Sequence, residues 1–435
     1  MLKDAKRIFE NRVVKNASWI ILCRVAQMLI NLVVGMLTAR YLGPSNYGLI
    51  NYAKSVVAFA MPIMQLGLSN ILVQEIVHAQ DNEGELLGTS MTLSLLSSFF
   101  CVIGVFVFAT LANRNESDTI IVCMLCSLSL VFTAVELINY WFQAKLLSKY
   151  SALVMFFAYT IIAAYRVILL MTGKSVFWFA ASQPLDCMMI GFAEVIIYKR
   201  LGGGRLSFSW ETAKRLFSKS RYYIISSLMV TVFAHTDKIM LKLMINDEDT
   251  GYYSAAVTCA SLSGFFFAAI IDSMRPSIFS AQKQSEEKFQ ERLTLLYSIV
   301  IYLSLLQSLV MTIAARFIIT MLYGEEYSLA SGALRIVVWY TTFAYLGSVR
   351  NIWILAKNKQ KYLWIINMSG AIANVVLNFA LIPLCGLHGA AAASLITQIF
   401  TNVIIGYIIR PISYNNKIML DSLNPKVLLH MKDVL

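Results

Sequence analysis

The sequence predicts an all-α integral membrane protein, with 12 transmembrane helices in two six-helix lobes related as a parallel pseudo-repeat. Three observations predict this fold. The chain of 435 residues is 58% hydrophobic and 14% charged, with a mean hydropathy of +0.67, whereas soluble domains carry about 25% charged residues. Apolar stretches of about 20 residues, the length that crosses a bilayer, recur along nearly the whole chain. The two halves also repeat the same order of polar and apolar segments.

Twelve apolar stretches are long enough to span a membrane. The first follows a basic N-terminal segment and lacks a cleavage site of small residues, so we interpret it as a first span rather than a signal peptide. The end of the ninth is the hardest to place, because residues 316–322 can extend it. The predicted spans cover residues 17–40, 46–70, 86–111, 119–143, 150–172, 175–198, 220–245, 251–274, 293–316, 330–356, 361–384 and 388–411.

The distribution of basic residues predicts the orientation. Most of the 36 lysine and arginine residues fall in segments on one side of the membrane if the chain starts in the cytoplasm. The positive-inside rule then assigns both termini to the cytoplasm. The net charge of +12 is therefore mainly a topology signal, and no nucleic-acid partner is expected.

The longest polar stretch divides the chain into two sets of six spans. We interpret it as a cytoplasmic linker with a short amphipathic helix over residues 210–217. The expected domains are an N-terminal lobe over residues 1–200, the linker over 201–219, and a C-terminal lobe with a short cytoplasmic tail over 220–435.

Short motifs echo one another at matching positions of the two halves. Residues 42–53, after the first span, resemble residues 245–256, after the seventh. The fifth-to-sixth junction, residues 172–182, resembles the eleventh-to-twelfth junction, residues 385–394. Repeats with an even number of spans share one orientation, so an axis along the membrane normal relates them.

Polar residues in the first, second, seventh and eighth spans follow helical spacing, so each set forms one face of its helix. A polar face does not contact lipid and therefore faces partner helices or a cavity. Because these spans hold equivalent positions in the two halves, we expect a cavity between the lobes. The uncharged polar residues expected to line it are Gln27, Asn31, Asn51, Gln65 and His235.

Seven basic side chains lie within the predicted spans: Arg24, Lys54, Arg166, Lys238, Lys242, Arg335 and Arg350. A cation in hydrocarbon costs roughly 2.5–3.5 kcal/mol on insertion scales, so the cluster predicts a water-filled cavity for an anionic cargo. Lys242 and Arg335 lie near span ends, where long side chains reach the headgroups. Arg350 could also reach the headgroups in this way, and Arg166 could form an ion pair with Glu136 instead of facing the cavity. The candidate substrate-binding cations are Arg24, Lys54, Lys238, Arg166 and Arg350.

Buried carboxylates can carry protons or bind cations, which makes Asp237 and Asp272 candidates for coupling transport to an H⁺ or Na⁺ gradient. Structural pairing with an arginine is the alternative for both. The C-x-x-C of Cys123 and Cys126 has no second pair or histidine, so neither a metal site nor a cofactor is expected. No P-loop, G-x-S-x-G or H-E-x-x-H motif occurs, and no extramembrane segment is large enough for a catalytic domain. We therefore expect a secondary transporter, not an enzyme.

With these residues identified, the chain resembles the Wzx-type O-antigen or capsule repeat-unit flippases of the multidrug/oligosaccharidyl-lipid/polysaccharide (MOP) exporter superfamily, over almost its whole length. In the seventh span, where that family often has Asp-Lys-x-x-x-Gly, this chain has Lys242 in place of the glycine. The motifs that carry the resemblance are TARYLGPSNYGLINYA (Thr38–Ala53), HTDKIMLKLM (His235–Met244), TGYYSAA (Thr250–Ala256), LYGEEYSLA (Leu322–Ala330) and NFALIPLCGLHGAAAAS (Asn378–Ser394).

The resemblance implies a MATE-like fold with a central cationic cavity to which Arg24, Lys54 and Lys238 correspond. It implies alternating access and the flipping of undecaprenyl-diphosphate-linked oligosaccharide repeat units from the inner to the outer leaflet of the bacterial cytoplasmic membrane. The product would be O-antigen, capsule or exopolysaccharide, and the implied partners are membrane lipids and a polysaccharide polymerase or chain-length regulator. The alternatives are a lipid II flippase, a multidrug exporter of the same superfamily, or a membrane-embedded polysaccharide polymerase or transferase.

Overall fold

The computed structural model describes residues 12–78 and 82–429, and in these ranges the secondary structure is helical, without strands. Short 3₁₀ or π-helical turns join several of the helices. The α-helices are α1 (Arg12–Met64), α2 (Leu72–His78), α3 (Glu83–Ala112), α4 (Ser117–Val135), α5 (Asn139–Ala144), α6 (Ser148–Met171), α7 (Val176–Arg200), α8 (Trp210–Met244), α9 (Asp247–Ser261), α10 (Gly264–Gln284), α11 (Glu286–Tyr323), α12 (Ala330–Ala356), α13 (Lys361–Ile399), α14 (Ile405–Ile408), α15 (Ser413–Asp421) and α16 (Lys426–Leu429).

The predicted all-α membrane fold is confirmed. Within the described ranges, nine helical segments are long and apolar enough to cross a membrane. Two of them, α1 and the segment from Lys361 to Ile408, each contain a kink and correspond to two predicted spans. Helix α12 lies outside that set of nine and corresponds to the tenth predicted span. Each of the twelve predicted spans thus has a helical counterpart.

Glycine marks equivalent turns in the two halves. Gly173, between α6 and α7, has φ 64°, and Gly386, at the kink of α13, has φ 53°. Positive φ costs glycine little because it has no Cβ. These are the two junctions whose sequences resemble one another, so the resemblance extends to backbone conformation.

Two predicted spans differ from the observed helices because of the local backbone conformation. The second span ends at Met64 instead of residue 70, because Leu66 and Gly67 have positive φ and break the helical hydrogen-bond pattern. The fourth span is divided by a 3₁₀ turn over Glu136–Ile138, between α4 and α5.

Helix α8 begins at Trp210, ten residues before the predicted seventh span, so only residues 201–209 of the expected linker are non-helical. We call residues 201–209 the strap. The strap lies along the start of α3, where the Ser207 amide donates to the Gly84 carbonyl at 3.4 Å and the Ser209 amide to Thr89 Oγ1 at 3.0 Å. Just after it, the Thr212 hydroxyl donates to Glu85 Oε1 at 2.6 Å.

The chain divides into two compact units, Met1–Thr231 and Val232–Leu435, which we call the N-terminal and C-terminal units. The division falls inside α8, which therefore belongs to both. The domain limits expected from the sequence, with a linker at 201–219, stay a prediction.

Each unit has its own apolar core. In the N-terminal unit, Trp141 and Phe142 of α5 pack with Leu68, Leu87 and Tyr198. The C-terminal unit has a larger core in which α10, α11 and α12 contribute most of the buried side chains. Large apolar side chains such as Phe100, Ile313 and Phe379 are instead more than two-thirds exposed, as expected for surfaces that face lipid.

Candidate functional site

The N-terminal unit brings two of the predicted cations to one carboxylate. Lys54 of α1 and Arg166 of α6 both interact electrostatically with Asp186 of α7. Arg166 Nε also donates a hydrogen bond to Ser182 Oγ at 3.0 Å. Ser182 and Asp186 are four residues apart and therefore lie on the same face of α7. These three charged groups are half-buried and come from three different membrane helices.

Asp186, not Glu136, is thus the carboxylate that interacts with Arg166. The Cys187 thiol hydrogen-bonds to Glu136 instead. Glu194 is fully buried and accepts a hydrogen bond from Ser151 Oγ at 2.5 Å. The interior of this unit therefore contains carboxylates beside its cations, and Lys54, Arg166 and Asp186 together carry one net positive charge.

The other polar residues predicted to line a cavity from the first two spans differ in their burial and in their partners. Arg24 lies on α1, but its side chain falls outside the described residues. On the same helix Gln27 is half-buried and Asn31 is exposed. Asn51 is half-buried, and its amide donates within α1 to the Tyr47 carbonyl at 2.8 Å. Gln65 lines a small polar cavity inside the N-terminal unit.

The C-terminal unit surrounds Asp237 of α8 with neutral hydrogen-bond donors. Asp237 is 5% exposed. Its Oδ1 accepts from Asn374 Nδ2 at 3.1 Å and from Asn378 Nδ2 at 2.5 Å. Its Oδ2 accepts from the Tyr253 hydroxyl at 2.5 Å and from the Ser394 hydroxyl. Four donors can stabilise a buried carboxylate without an arginine, because hydrogen bonds to a charged acceptor are about twice as strong as those between neutral groups.

Three helices and three sequence motifs meet at Asp237. Asn374 and Asn378 are four residues apart on α13 and share one face, while Ser394 lies on the same helix beyond the kink at Gly386. Tyr253 comes from α9. Residues 235–244, 250–256 and 378–394 are three of the motifs that carry the family resemblance, and each contributes at least one group. Sequence reasoning missed Tyr253, Asn374, Asn378 and Ser394 as candidates, although all of them except Asn374 lie in these motifs.

Lys238 and His235 are half-buried on α8, three residues apart and therefore on one face. Lys238 also interacts electrostatically with the neighbouring Asp237. Lys242, one turn further along, is buried, and its ammonium pairs with Asp247 at 2.5 Å. The expectation that Lys242 reaches the headgroups is wrong, because this ion pair at the turn to α9 holds the side chain inside the protein.

The remaining candidates are one buried and one exposed residue. Arg350 of α12 is 4% exposed and donates from Nη1 to the Thr401 carbonyl, in the π-helical turn after α13. It is therefore held inside the C-terminal unit and does not extend to the headgroups. Asp272 is exposed on α10 and pairs with Arg275 at 3.0 Å, which agrees with the structural alternative for this residue.

Within the described ranges, no group of three or more His, Cys, Asp or Glu side chains could hold a metal ion. Oxygen atoms are nevertheless concentrated at Asp237. The side-chain oxygens of Asn374 and Asn378 are buried there without hydrogen-bond partners among the described residues. The Asp237 site therefore combines a carboxylate, two amide oxygens and two hydroxyls in one place.

Solved structures share the fold. A lipid II flippase MurJ in an inward closed conformation aligns with a TM-score of 0.71 at 15% identity, over 93% of this chain and 91% of that one. An inward-facing MATE-family multidrug resistance transporter of the MOP superfamily aligns with a TM-score of 0.63 at 15% identity, over 90% of this chain and 96% of that one. The MOP-type fold predicted from the sequence is therefore confirmed.

Two relatives that match by sequence have names related to glycan transport. A putative O-antigen transporter of Shigella flexneri is 21% identical over 87% of this chain and 93% of its own length. A probable low-salt glycan biosynthesis flippase, Agl15 of Haloferax volcanii, is 22% identical, and the match spans 46% of each protein. The family model described as "Polysaccharide biosynthesis protein" matches residues 13–282, more than half of the chain. This chain is a multi-pass membrane protein that belongs to the polysaccharide biosynthesis protein family.

Proposed function

We propose that this chain flips a polyprenyl-diphosphate-linked oligosaccharide from the inner to the outer leaflet of a bacterial cytoplasmic membrane, for assembly of a surface polysaccharide. Family membership supports the proposal, and so do the two relatives, a putative O-antigen transporter and a probable glycan biosynthesis flippase. The observation that carries it is that Lys54 and Arg166, from two different helices, are half-buried inside membrane-spanning segments and both interact electrostatically with Asp186.

The chemistry of the cargo explains why such cations are needed. A bare ion taken from water into hydrocarbon loses hydration worth tens of kcal/mol. Lysine and arginine replace that hydration with charge-assisted hydrogen bonds to phosphate oxygens. The negative charge of Asp186 offsets part of the cost of burying Lys54 and Arg166 before the cargo arrives. Arg24 and Lys238 remain predicted diphosphate ligands, and alternating access remains the proposed mechanism.

We further propose that Asp237 couples the transport step to a cation gradient, with Na⁺ or H⁺ as the ion. The support is the set of oxygen atoms from Tyr253, Asn374, Asn378 and Ser394 around the carboxylate. Hard cations take carboxylate, amide and hydroxyl oxygens as ligands. The two asparagine amides would turn their unpartnered oxygens towards a bound sodium ion.

The proposed function also includes an orientation of the chain in the membrane and a protein that receives the product. Both termini are placed in the cytoplasm by the distribution of lysine and arginine. A polysaccharide polymerase or chain-length regulator would receive the flipped repeat unit on the outer face.

The test is complementation of a strain that lacks its own repeat-unit flippase. Lys54→Ala and Lys238→Ala should each lower surface polysaccharide by about tenfold or more, because truncating one member of a buried charge interaction costs about 2–5 kcal/mol. Lipid-linked repeat units should accumulate in proportion. Lys54→Arg, which keeps the charge, should restore most of the activity.

Arg335→Gln is the matched control, since Arg335 is an exposed cation within a membrane helix. It should behave like the wild type. Wild-type amounts of surface polysaccharide with both alanine variants would remove these lysines from the substrate path. Rescue of a strain depleted of its lipid II flippase, without rescue of surface polysaccharide, would instead favour lipid II as the cargo.

A further inference from the structure

The N-terminal unit contains a small polar cavity that the predicted substrate cations do not line. Its volume is about 100 Å³, and it is partly open to the outside. Six of the seven residues that line it are polar, and the seventh is Leu137. The lining residues are Gln65, Thr133, Glu136, Leu137, Asn139, Tyr140 and Gln143.

Two interruptions of membrane helices create the cavity. The second span stops at Met64, and Gln65 precedes the positive-φ residues Leu66 and Gly67. The fourth span changes to a 3₁₀ turn at Glu136–Ile138 before α5 begins. Where a helix is interrupted, its side chains no longer fill the space that a continuous helix would occupy.

Helix α5 has two faces, one in the core and one in the cavity. Trp141 and Phe142 are buried in the apolar core of the unit. Asn139 and Gln143, one helical turn apart, line the cavity, and Tyr140 both lines the cavity and packs against the core. The Tyr140 hydroxyl also interacts with the Ser69 hydroxyl. Because the aromatic side chains anchor the helix, the polar face is held in a fixed position.

One residue that lines this cavity, Glu136, has a carboxylate oxygen without a partner. Glu136 Oε1 is buried and has no hydrogen-bond partner among the described residues. The carboxylate receives a hydrogen bond from the Cys187 thiol and is repelled by the nearby Asp186. A buried acceptor left unpaired costs about 1–3 kcal/mol, and more when it is charged. A turn of the Glu136 side chain towards the cavity would let a bound molecule supply the missing donor.

We propose that this cavity is a sugar-binding subsite, in which Glu136, Asn139, Tyr140, Gln65 and Gln143 recognise one neutral, hydroxyl-bearing sugar of the lipid-linked glycan. The inference rests on the proposed function and adds the class of sugar that the N-terminal unit recognises.

The lining groups fit a neutral sugar and disfavour an anion. Carboxylates and amides accept hydrogen bonds from sugar hydroxyls, amide N–H groups donate to them, and a tyrosine ring offers an apolar face to the C–H bonds of a pyranose. A uronic acid or a phosphate would instead be repelled by Glu136. We therefore assign the diphosphate to Lys54 and Arg166. Both interact electrostatically with Asp186, which also interacts with Glu136.

The size of the cavity also fits. A volume of about 100 Å³ leaves room for at least three water molecules. The hydroxyl groups along one edge of a pyranose ring can replace three such waters. The open side leaves room for the rest of the glycan.

The test measures binding by the purified full-length protein in lipid nanodiscs. The probes are undecaprenyl diphosphate alone, undecaprenyl diphosphate carrying a neutral disaccharide, and the same lipid carrying a disaccharide with a uronic acid. The wild type should bind the neutral glycolipid roughly tenfold or more tightly than the bare lipid, the value of one or two hydrogen bonds to a charged group. It should not show this gain for the uronic acid.

Glu136→Gln should bind the neutral glycolipid no more tightly than the bare lipid, and it should no longer prefer the neutral glycolipid to the one with a uronic acid. Its affinity for the bare lipid should stay unchanged. Asn139→Ala should reduce the gain for the neutral sugar. Glu211→Gln, a neutralised carboxylate on the exposed side of α8, is the control and should bind all three probes like the wild type. Lys54→Ala should weaken binding of all three probes by a similar factor.

The melting temperature provides a second readout. A carboxylate that serves only packing would make Glu136→Gln less stable than the wild type. If Glu136 is instead a binding group with an unpaired charge, the Glu136→Gln variant should melt at the same temperature as the wild type or at a higher one. Equal binding of the bare and the neutral glycolipid by the wild type, or an unchanged preference in Glu136→Gln, would overturn the subsite alone. A wild type that binds none of the probes would overturn the proposed function as well.

Discussion

Asp237 illustrates how a charged side chain can be accommodated within a membrane helix by hydrogen bonds from neutral groups. Two amides and two hydroxyls converge on its oxygens, and these donors come from α9 and α13. In the proposed coupling role, the carboxylate would exchange these donors for a bound cation. An arginine in the same place would neutralise the carboxylate permanently.

Replacing Tyr253 by Phe should destabilise the protein, because one hydrogen bond to a charged acceptor is lost. The expected loss is about 1.5–3 kcal/mol in the free energy of unfolding. Thermal unfolding of the full-length protein in detergent measures it as a lower melting temperature. Tyr407→Phe, at a tyrosine that is 53% exposed in the same unit, is the control. Equal melting temperatures for the two variants would show that the Tyr253 hydrogen bond adds no net stability.

Asp237→Asn should abolish the response of the protein to its coupling ion. A ligand that binds only the folded state raises stability by RT ln(1 + [L]/Kd), so sodium should raise the melting temperature of the wild type if Na⁺ is the ion. If H⁺ is the ion, the melting temperature of the wild type should instead depend on pH in sodium-free buffer, and this dependence should be absent from Asp237→Asn. Asp421→Asn, at an exposed carboxylate, should respond like the wild type. A wild type that responds to neither sodium nor pH contradicts the coupling role of Asp237.

At the scale of the elements, the strap is held against α3 by backbone contacts that depend on glycine. A Cβ atom at Gly84 would overlap the Arg205 carbonyl oxygen, and one at Gly88 would overlap the Ser207 backbone. Ion pairs of Glu83 with Lys145 at 2.7 Å and of Glu75 with Lys219 at 2.6 Å add contacts nearby. The Glu75–Lys219 ion pair and the hydrogen bond of Thr212 to Glu85 attach the beginning of α8 to α2 and α3, while the end of the same helix carries Asp237.

Gly84→Ala should displace the strap and destabilise the N-terminal unit by about 1–3 kcal/mol, the usual cost of overpacking. Limited proteolysis with trypsin should then cleave faster after Arg205, which is exposed. Gly104→Ala is a matched control on the same helix, because a Cβ there meets nothing within 4 Å. The control should be neutral or stabilise the helix by roughly 0.5–1 kcal/mol. Identical cleavage rates for the two variants would contradict the close contact between α3 and the strap.

At the scale of the whole molecule, the distribution of cysteines allows a direct test of orientation. Among the described cysteines, Cys385 is exposed, Cys187 is intermediate and the others are buried. Cys385 precedes the kink at Gly386, which joins the eleventh and twelfth predicted spans. The positive-inside rule places that junction outside the cell when both termini are cytoplasmic.

A membrane-impermeant maleimide should therefore label Cys385 in intact cells. The Cys385→Ser variant should lose the signal, since the buried thiols are protected. Labelling that requires inverted membrane vesicles would reverse the predicted orientation of the whole chain.

The fold was largely predictable from the sequence, and its sites were only partly so. Span length and hydropathy depend on local composition, which is why the twelve predicted spans have helical counterparts. Helix ends such as the one at Met64 depend on the φ of one or two residues, so they were displaced by several positions. Asp237 was identified as a candidate from its place in an apolar segment. Its partners Asn374 and Asn378, 137 and 141 residues away in the chain, were not.

The sequence by itself determined that the chain crosses the membrane many times, since burial in lipid demands long apolar helices whatever their packing. It also determined which residues are costly enough in hydrocarbon to require a role. Only the tertiary structure decided which partners those residues have: Asp186 for Lys54 and Arg166, four neutral donors for Asp237, and a polar cavity for Glu136. The physical reason is that hydrogen bonds and charge interactions act over a few ångströms in space, and helix packing brings together groups that are far apart in the chain.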